Sequence, residues 1–453
     1  MLPLFVLLFL ALPLAAQVPA KSLHPQVQKV IDDVSEERIV AILKKLESFG
    51  SRNTNHDIDS PDKGNIAARN WIAAQFKSFS PRLEVKLDTH RITMQGRVVK
   101  DLDLVNVVAV LPGTSQKDHE IIISGHYDSL NIIRKKDAPA GAGQDPVDWV
   151  ATAGNPVAPG VSDDASGVSL VMELARIMSQ HQWSKTIIFI AFAGEEQGLF
   201  GSRAYAKAAK DSKRKIDAVF NNDIIGNDVS GDGRRITDLV NVYSGDPMDS
   251  PSRALARYVC EMSDRYYPAM KAKPVFRGDR FSRGGDHTPF HDLGYAAIRF
   301  TTPVENYTNQ HSATDTFENA SPSYTARVVR VNAAAAASLA LAPAMPEVMR
   351  TNSSGVLTGP NLTRGKGYDA ALKWTSASPA DEIAGYTVTV RYTTAPFWER
   401  EIYVGNVTEY LIPSISIDDI ILGVRAVGTN GVESLVAAYV LVPRNFSSPP
   451  PAN

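Results

Sequence analysis

Cysteine is almost missing from this chain. The single thiol, Cys260, has no partner for an intramolecular disulfide, so the 453 residues must be held by core packing, with bound metal as the other available staple. Charge of one sign is scarce as well: 47 Lys and Arg against 49 Asp and Glu leave a net charge of −2. Such a surface has no field to gather a polyanion, and no nucleic acid is expected as a partner. Long hydrophobic runs are also lacking. The apolar stretch at residues 2–16 falls short of the roughly 17–25 residues that cross a bilayer. It ends in Leu14-Ala15-Ala16 and reads as a signal peptide over residues 1–16, although no Lys or Arg precedes it; an uncleaved N-terminal anchor is the alternative. No cysteine follows the run, which excludes lipid attachment there. The expectation is an exported protein, periplasmic or secreted, with no membrane span in the mature chain and a monomeric state.

An apolar content of 44% and a charged content of 21% describe a globular protein, and the length allows more than one domain. Residues 21–48 and 62–79 show helical spacing of apolar side chains, for example Ile72, Phe76 and Phe79 on one stripe. Residues 83–92, 103–111 and 120–124 read as strands, the last delivering Gly125-His126-Tyr127-Asp128. Residues 129–159 form a long polar insertion, predicted as a loop over a site. Val161-Ser162-Asp163-Asp164-Ala165-Ser166-Gly167 opens a helix that Asp164 or Ser166 can cap. The wholly apolar run Thr186-Ile187-Ile188-Phe189-Ile190 predicts a strand buried on both faces, and Glu195 and Glu196 follow where it ends. A further strand at 216–220 leads to Asn222-Asp223, helices are predicted at 204–210, 252–267 and 324–342, and a strand at 296–301 precedes the loop carrying His311. The fold class expected for residues 21–345 is α/β, a mixed, mostly parallel sheet flanked by helices. Beyond Pro346 the texture changes to strictly alternating runs such as 386–392, with turn signals about every ten residues; residues 346–444 are expected to form a small all-β sandwich resembling a fibronectin type III module, and 445–453 a loose tail.

His126, Asp163, Glu196 and Asp223 are separated by 37, 33 and 27 residues, each about one strand-helix-strand unit of roughly 30 residues. Successive parallel strands would place them on one sheet edge, and His311 joins them from a later loop. Two imidazoles and three carboxylates suit zinc; five ligands exceed the need of one catalytic ion and fit two if one carboxylate bridges. Asp128 could return on the far ring nitrogen of His126, and Asp315 on that of His311. A lone His or Asp at a strand end is usually a cap or a solvated residue, so convergence carries the assignment. His24, His56, His90, His119, His181 and His291 are expected to be structural or surface residues, His287 a hydrogen-bonding one, and Cys260 a core residue.

Taken together, Gly125-His126-Tyr127-Asp128, Asp163-Asp164-Ala165-Ser166-Gly167, Gly194-Glu195-Glu196-Gln197-Gly198, Asn222-Asp223-Ile224-Ile225-Gly226 and the 311–315 loop resemble the co-catalytic zinc aminopeptidases, a family that also includes glutamate carboxypeptidase and glutaminyl cyclase. The likeness covers roughly residues 21–344. It implies two zinc ions per chain, with Asp163 bridging, His126 and Asp223 on one ion, and Glu196 and His311 on the other. It implies further that Glu195 is the general base, Asp128 the partner of His126, and the Asp163–Asp164 peptide cis. A tyrosine often found before the last histidine is here Gln310; Tyr307 is the candidate substitute for holding the oxyanion. The implied function is hydrolysis of the N-terminal peptide bond of peptide substrates by a metal-bridged hydroxide. A carboxypeptidase or a glutaminyl cyclase on the same scaffold stays open, while an inactive peptide-binding protein is disfavoured because no ligand is missing.

Overall fold

The β-branched runs of the first 340 residues line up side by side in one sheet. The computed structural model describes residues 23–439 except 57, 59, 136–145, 352–356, 361 and 365–366. The expected signal peptide and C-terminal tail, and the middle of the 129–159 insertion, lie outside the described residues. One compact unit holds Leu23–Ala344 and Val432–Leu435, and a second holds Met345–Gly431 with the described residues that follow Leu435.

In the larger unit the strands are β1 (Glu84–Ile92), β2 (Leu102–Leu111), β3 (Gln116–His126), β4 (Lys185–Phe192), β5 (Lys215–Asn222), β6 (Leu239–Ser244), β7 (Lys271–Val275) and β8 (Ala297–Thr301). They are ordered β1-β2-β4-β3-β5-β8-β6-β7. The central four are parallel, β2 and β6 run against them, and the sheet is therefore mixed and mostly parallel, as the strand-helix alternation predicts. From β3 the chain crosses to β4 on one side and then to β5 on the other. This reversal makes β3 the switch point, where an open α/β sheet parts its loops.

Side chains alternate across the sheet. Val107, Ala109, Ile121, Ile123, Ile187 and Phe189 enter one core, packed by the helices α1 (Pro25–Asp32), α2 (Glu36–Ser48) and α3 (Gly64–Phe79). Beyond α4 (Trp149–Ala153), α5 (Ser166–Met178) joins the same face. The intervening residues Val108, Ile122, Ile188 and Ile190 face the other way, onto Tyr205 and Ala206 of α6 (Phe200–Asp211). After α7 (Pro251–Tyr266), which lines the first core, Phe290 of α8 (Thr288–Asp292) completes the second; α9 (Pro322–Leu341) returns to the first. Burial on both faces is why β4 is apolar throughout rather than alternating.

Three local expectations need correction. Residues 21–48 form two helices rather than one, because Ser35 turns extended and its hydroxyl accepts from the N–H of Arg38, starting α2 afresh. The 129–159 insertion contains α4, begun by the Asp148 carboxylate accepting from Ala151 N–H at 3.0 Å. β6 and β7 went unpredicted; β7 carries two lysines and Pro274, tolerated because it is the edge strand.

Among the described residues the smaller unit contains three antiparallel sheets, of two, three and four strands, and the larger two face a common core. Their side chains share one apolar cluster around Trp374, Tyr386, Val388, Leu422 and Val424, with the Trp374 and Tyr386 rings 5.4 Å apart.

Candidate metal centre

The carboxyl ends of β3, β4, β5 and β8 deliver the site. His126 ends β3 level with Phe192 of β4, and the register that pairs Ser124 with Asn221 sets His126 level with Asp223. Gly194-Glu195-Glu196 leaves β4, Asp163 leads into α5, and His311 follows β8. All five sequence-predicted ligands meet.

Two groups of donor atoms form. His126 Nε2 lies 3.1 Å from Asp163 Oδ1 and 3.8 Å from Asp223 Oδ1. His311 Nε2 lies 3.1 Å from both Asp163 Oδ2 and Glu196 Oε1. The two oxygens of Asp163 thus face two different imidazoles. A tetrahedral ion with ligands about 2.0–2.1 Å away holds its donor atoms about 3.3 Å apart, which these spacings bracket. The donor set fits a pair of cations by a second criterion: His126 Nε2 and Glu196 Oε1 are buried yet have no hydrogen-bond partner among the described residues. Burial alone would lower both imidazoles. The carboxylates of Asp128, Asp163 and Asp223 around His126, and of Glu196 and Asp163 around His311, hold both well above the ordinary histidine value instead.

Glu195 also comes within 4.8 Å of the His126 and Asp223 donors, so distance alone does not distinguish base from ligand. The two differ in exposure: Glu195 is partly open while Glu196 is buried. Burial and then the carboxylates of Asp223, Glu196 and Asp286 push Glu195 well above the usual carboxylate range.

Asp128 stands against the far ring nitrogen of His126, as expected, and does more besides. His126 Nδ1 lies 3.1 Å from its main-chain oxygen, and 3.6 Å from its carboxylate. The carboxylate accepts from the N–H groups of Glu195 (3.3 Å) and Glu196 (3.1 Å), so it orients the glutamate turn. The Asp315 carboxylate accepts from Ser162 N–H at 2.8 Å and Asp163 N–H at 3.0 Å, fixing the Asp163 segment rather than His311. Tyr307 is 67% exposed and lines a neighbouring groove. Gln310 reaches the centre instead, its Nε2 donating to Asp163 Oδ2 at 2.9 Å. His287 pairs with the Gly278 carbonyl at 2.7 Å, a hydrogen-bonding role.

Asp164 knits the edge together. Its carboxylate accepts from His126 N–H (3.1 Å), Gly167 N–H (2.9 Å) and Ile224 N–H (3.3 Å), tying three ligand-bearing segments. The Asp163–Asp164 peptide is cis. Gly167 admits the contact, since a Cβ there would stand 2.2 Å from the Asn222 carbonyl oxygen. Ile224, beside Asp223, holds φ at +58°, a conformation costly for a β-branched residue and of a kind that clusters at functional sites.

Two residues of the support were missed. Arg299 is fully buried, with Nη2 3.0 Å from Asp223 Oδ1 and Nη1 3.0 Å from Asp279 Oδ2. The signal was present: an arginine within the all-buried strand Ala297–Thr301 must have a carboxylate partner. Arg52, also fully buried, donates to the carbonyls of Leu46, Tyr127, Pro159 and Gly160, pinning the segments on either side of the insertion. Its place in a polar loop concealed it.

The fold and this donor set define a metal-dependent hydrolase. The chain belongs to peptidase family M28, whose profile matches residues 106–336. A protein of Pyricularia oryzae described as a probable zinc metalloprotease is 36% identical over 93% of this chain and 85% of its own length. The LapA aminopeptidase of Legionella pneumophila shares the fold with a TM-score of 0.53 at 19% identity, over 72% of this chain and 77% of that one. Glutaminyl cyclase of Macrostomum lignano does so at 0.51 and 15%, over 69% and 92%. The chain is thus a zinc metallopeptidase by family.

Proposed function

We propose that the protein is an exported exopeptidase that holds two zinc ions and removes residues from the N-termini of peptides. The observation that carries this reading is the bidentate position of Asp163, one oxygen 3.1 Å from His126 and the other 3.1 Å from His311, beneath a cavity of about 500 Å³ into which Glu195 opens. His126 and Asp223 would hold one ion, Glu196 and His311 the other, and Asp163 both. Zinc bound there supplies Lewis acidity, polarising a carbonyl and lowering the pKa of water toward neutrality.

The chain's own residues do the rest. Asp128 fixes the glutamate turn through two main-chain N–H groups, leaving Glu195 in the cavity lining and Glu196 beside His311, where it would hold the metal. Glu195, whose carboxyl burial and the neighbouring carboxylates hold well above the usual carboxylate range, can take a proton from water and return it to the leaving amine. Gln310 and Asp315 hold Asp163 from opposite sides, through its carboxylate and its N–H.

Glu195→Gln keeps the shape and removes the proton acceptor. Turnover of an aminoacyl anilide is expected to fall by about 10²–10⁴-fold, with zinc content unchanged. A loss below tenfold refutes the proton transfer. Product masses from peptides with a free or blocked N-terminus, a blocked C-terminus, or N-terminal glutamine separate aminopeptidase from carboxypeptidase and cyclase.

A further inference from the structure

Among the described residues lining the cavity, every charged side chain apart from the proposed ligands and Glu195 is an arginine: Arg97, Arg203, Arg280 and Arg283. Two of these are matched. Arg280 donates to Glu305 at 2.7 Å and to Asp279 at 3.0 Å, and Arg283 stands 3.6 Å from the same Glu305 carboxylate.

The other two meet no carboxylate among the described residues. Arg97 donates from Nη1 to the carbonyl of Glu196 at 2.9 Å and lies over the Trp149 ring at 5.0 Å. Arg203 donates from Nε to the carbonyl of Gly198 at 3.1 Å. Both therefore grip the turn that carries the base, and both keep guanidinium N–H groups free for a ligand. The charge balance points the same way. Asp163, Glu195, Glu196 and Asp223 supply at most four negative charges, which two divalent ions would cancel. The arginine charge then remains, offset in part by Glu305 and Asp279 beside Arg280. Exposed arginines are ordinarily just solvated, yet four in one cavity, with no lysine among its described lining residues, is a selective lining.

We propose that this cavity recognises a carboxylate on the substrate within one or two residues of the scissile bond, with Arg97 and Arg203 as the residues that read it. A guanidinium fork matches a carboxylate in shape and charge, which an amide of the same size does not reproduce. Two sources of that carboxylate exist: an acidic side chain, or the free C-terminus of a di- or tripeptide. The inference rests on the peptidase function above and names its substrate class.

Binding to zinc-loaded Glu195→Gln protein, measured by calorimetry, tests it without turnover. Leu-Asp-NH2 against Leu-Asn-NH2 isolates the side-chain carboxylate, and Leu-Gly against Leu-Gly-NH2 the terminal one. In at least one pair the carboxylate is expected to bind about tenfold tighter or better, the ratio shrinking in about 0.5 M salt. Adding Arg97→Gln and Arg203→Gln is expected to bring the ratio toward one; a ratio taken within one preparation is insensitive to the fraction folded. Ratios near one in both pairs, or a ratio the arginine substitutions leave intact, overturn the inference. Wild-type turnover of the amide peptides separates the two claims: cleavage without preference sinks the carboxylate site and leaves the peptidase, whereas preferential binding without cleavage of any of the four peptides leaves the site and sinks the aminopeptidase.

Discussion

Arg299→Met removes a guanidinium that is fully buried and stands 3.0 Å from carboxylate oxygens of both Asp223 and Asp279. Methionine fills similar space, so the effect is electrostatic rather than a cavity. Breaking a buried pair by deleting one partner costs about 3–5 kcal/mol, because the other charge is left without compensation. Asp279 keeps a second cation in Arg280 at 3.0 Å, which argues for the lower end, about 3 kcal/mol. Asp223 would regain a partner in zinc. The loss is therefore expected to be larger in chelator-treated protein than in zinc-loaded protein, a difference that a purely structural arginine would not produce. Scanning calorimetry of both forms reads it as a drop in midpoint of about 6 °C or more, at roughly 2–4 °C per kcal/mol. Arg299→Lys keeps the charge without the two-armed reach and is expected to fall between. A midpoint within about 1 °C of wild type, or the same loss with and without zinc, refutes the reasoning.

At the opposite end of the sheet, burial would raise Asp217, but Lys185 at 2.8 Å and His119 at 2.8 Å hold it down at about 2. A depressed carboxylate stabilises the fold above its unfolded pKa and loses that contribution as pH falls from about 4 toward 2. Asp217→Asn is accordingly expected to cost about 2 kcal/mol in urea unfolding at neutral pH, with the gap from wild type narrowing once pH drops below about 4. A gap that widens in acid contradicts the assignment. Chelation is expected to lower the thermal midpoint and added zinc to restore it, since a ligand at 100 times its Kd adds about 2.7 kcal/mol. An unchanged midpoint would mean that the buried carboxylates do not depend on metal.

What the sequence discloses here is whatever repeats or alternates. The evenly spaced ligands and the apolar runs of β3, β4 and β5 announce a parallel sheet, because a strand covered on both faces has no polar alternation to hide behind. Asp163, Glu196 and His311 were legible for the same reason: each follows a run of that kind or opens a helix. The supporting contacts were not, since they link residues far apart in the chain. Asp315 sits four residues from His311 and was assigned to it by proximity, yet its carboxylate reaches back 152 residues to the N–H of Asp163. Arg52 reaches over 100 residues from a loop whose composition suggests only turns. Asp128 was placed correctly beside His126, while the choice between its carbonyl and its carboxylate depends on torsions that spacing does not encode.

The central claim is that one carboxylate serves two ions, and counting metal tests it most directly. Zinc per chain should be measured by plasma mass spectrometry after dialysis, in wild type, Glu196→Ala and Asp163→Ala, each checked for folding by circular dichroism. Two ions are expected in wild type, one in Glu196→Ala and essentially none in Asp163→Ala. A single ion in wild type, or an Asp163→Ala protein that still holds one as tightly as before, would contradict the bridge.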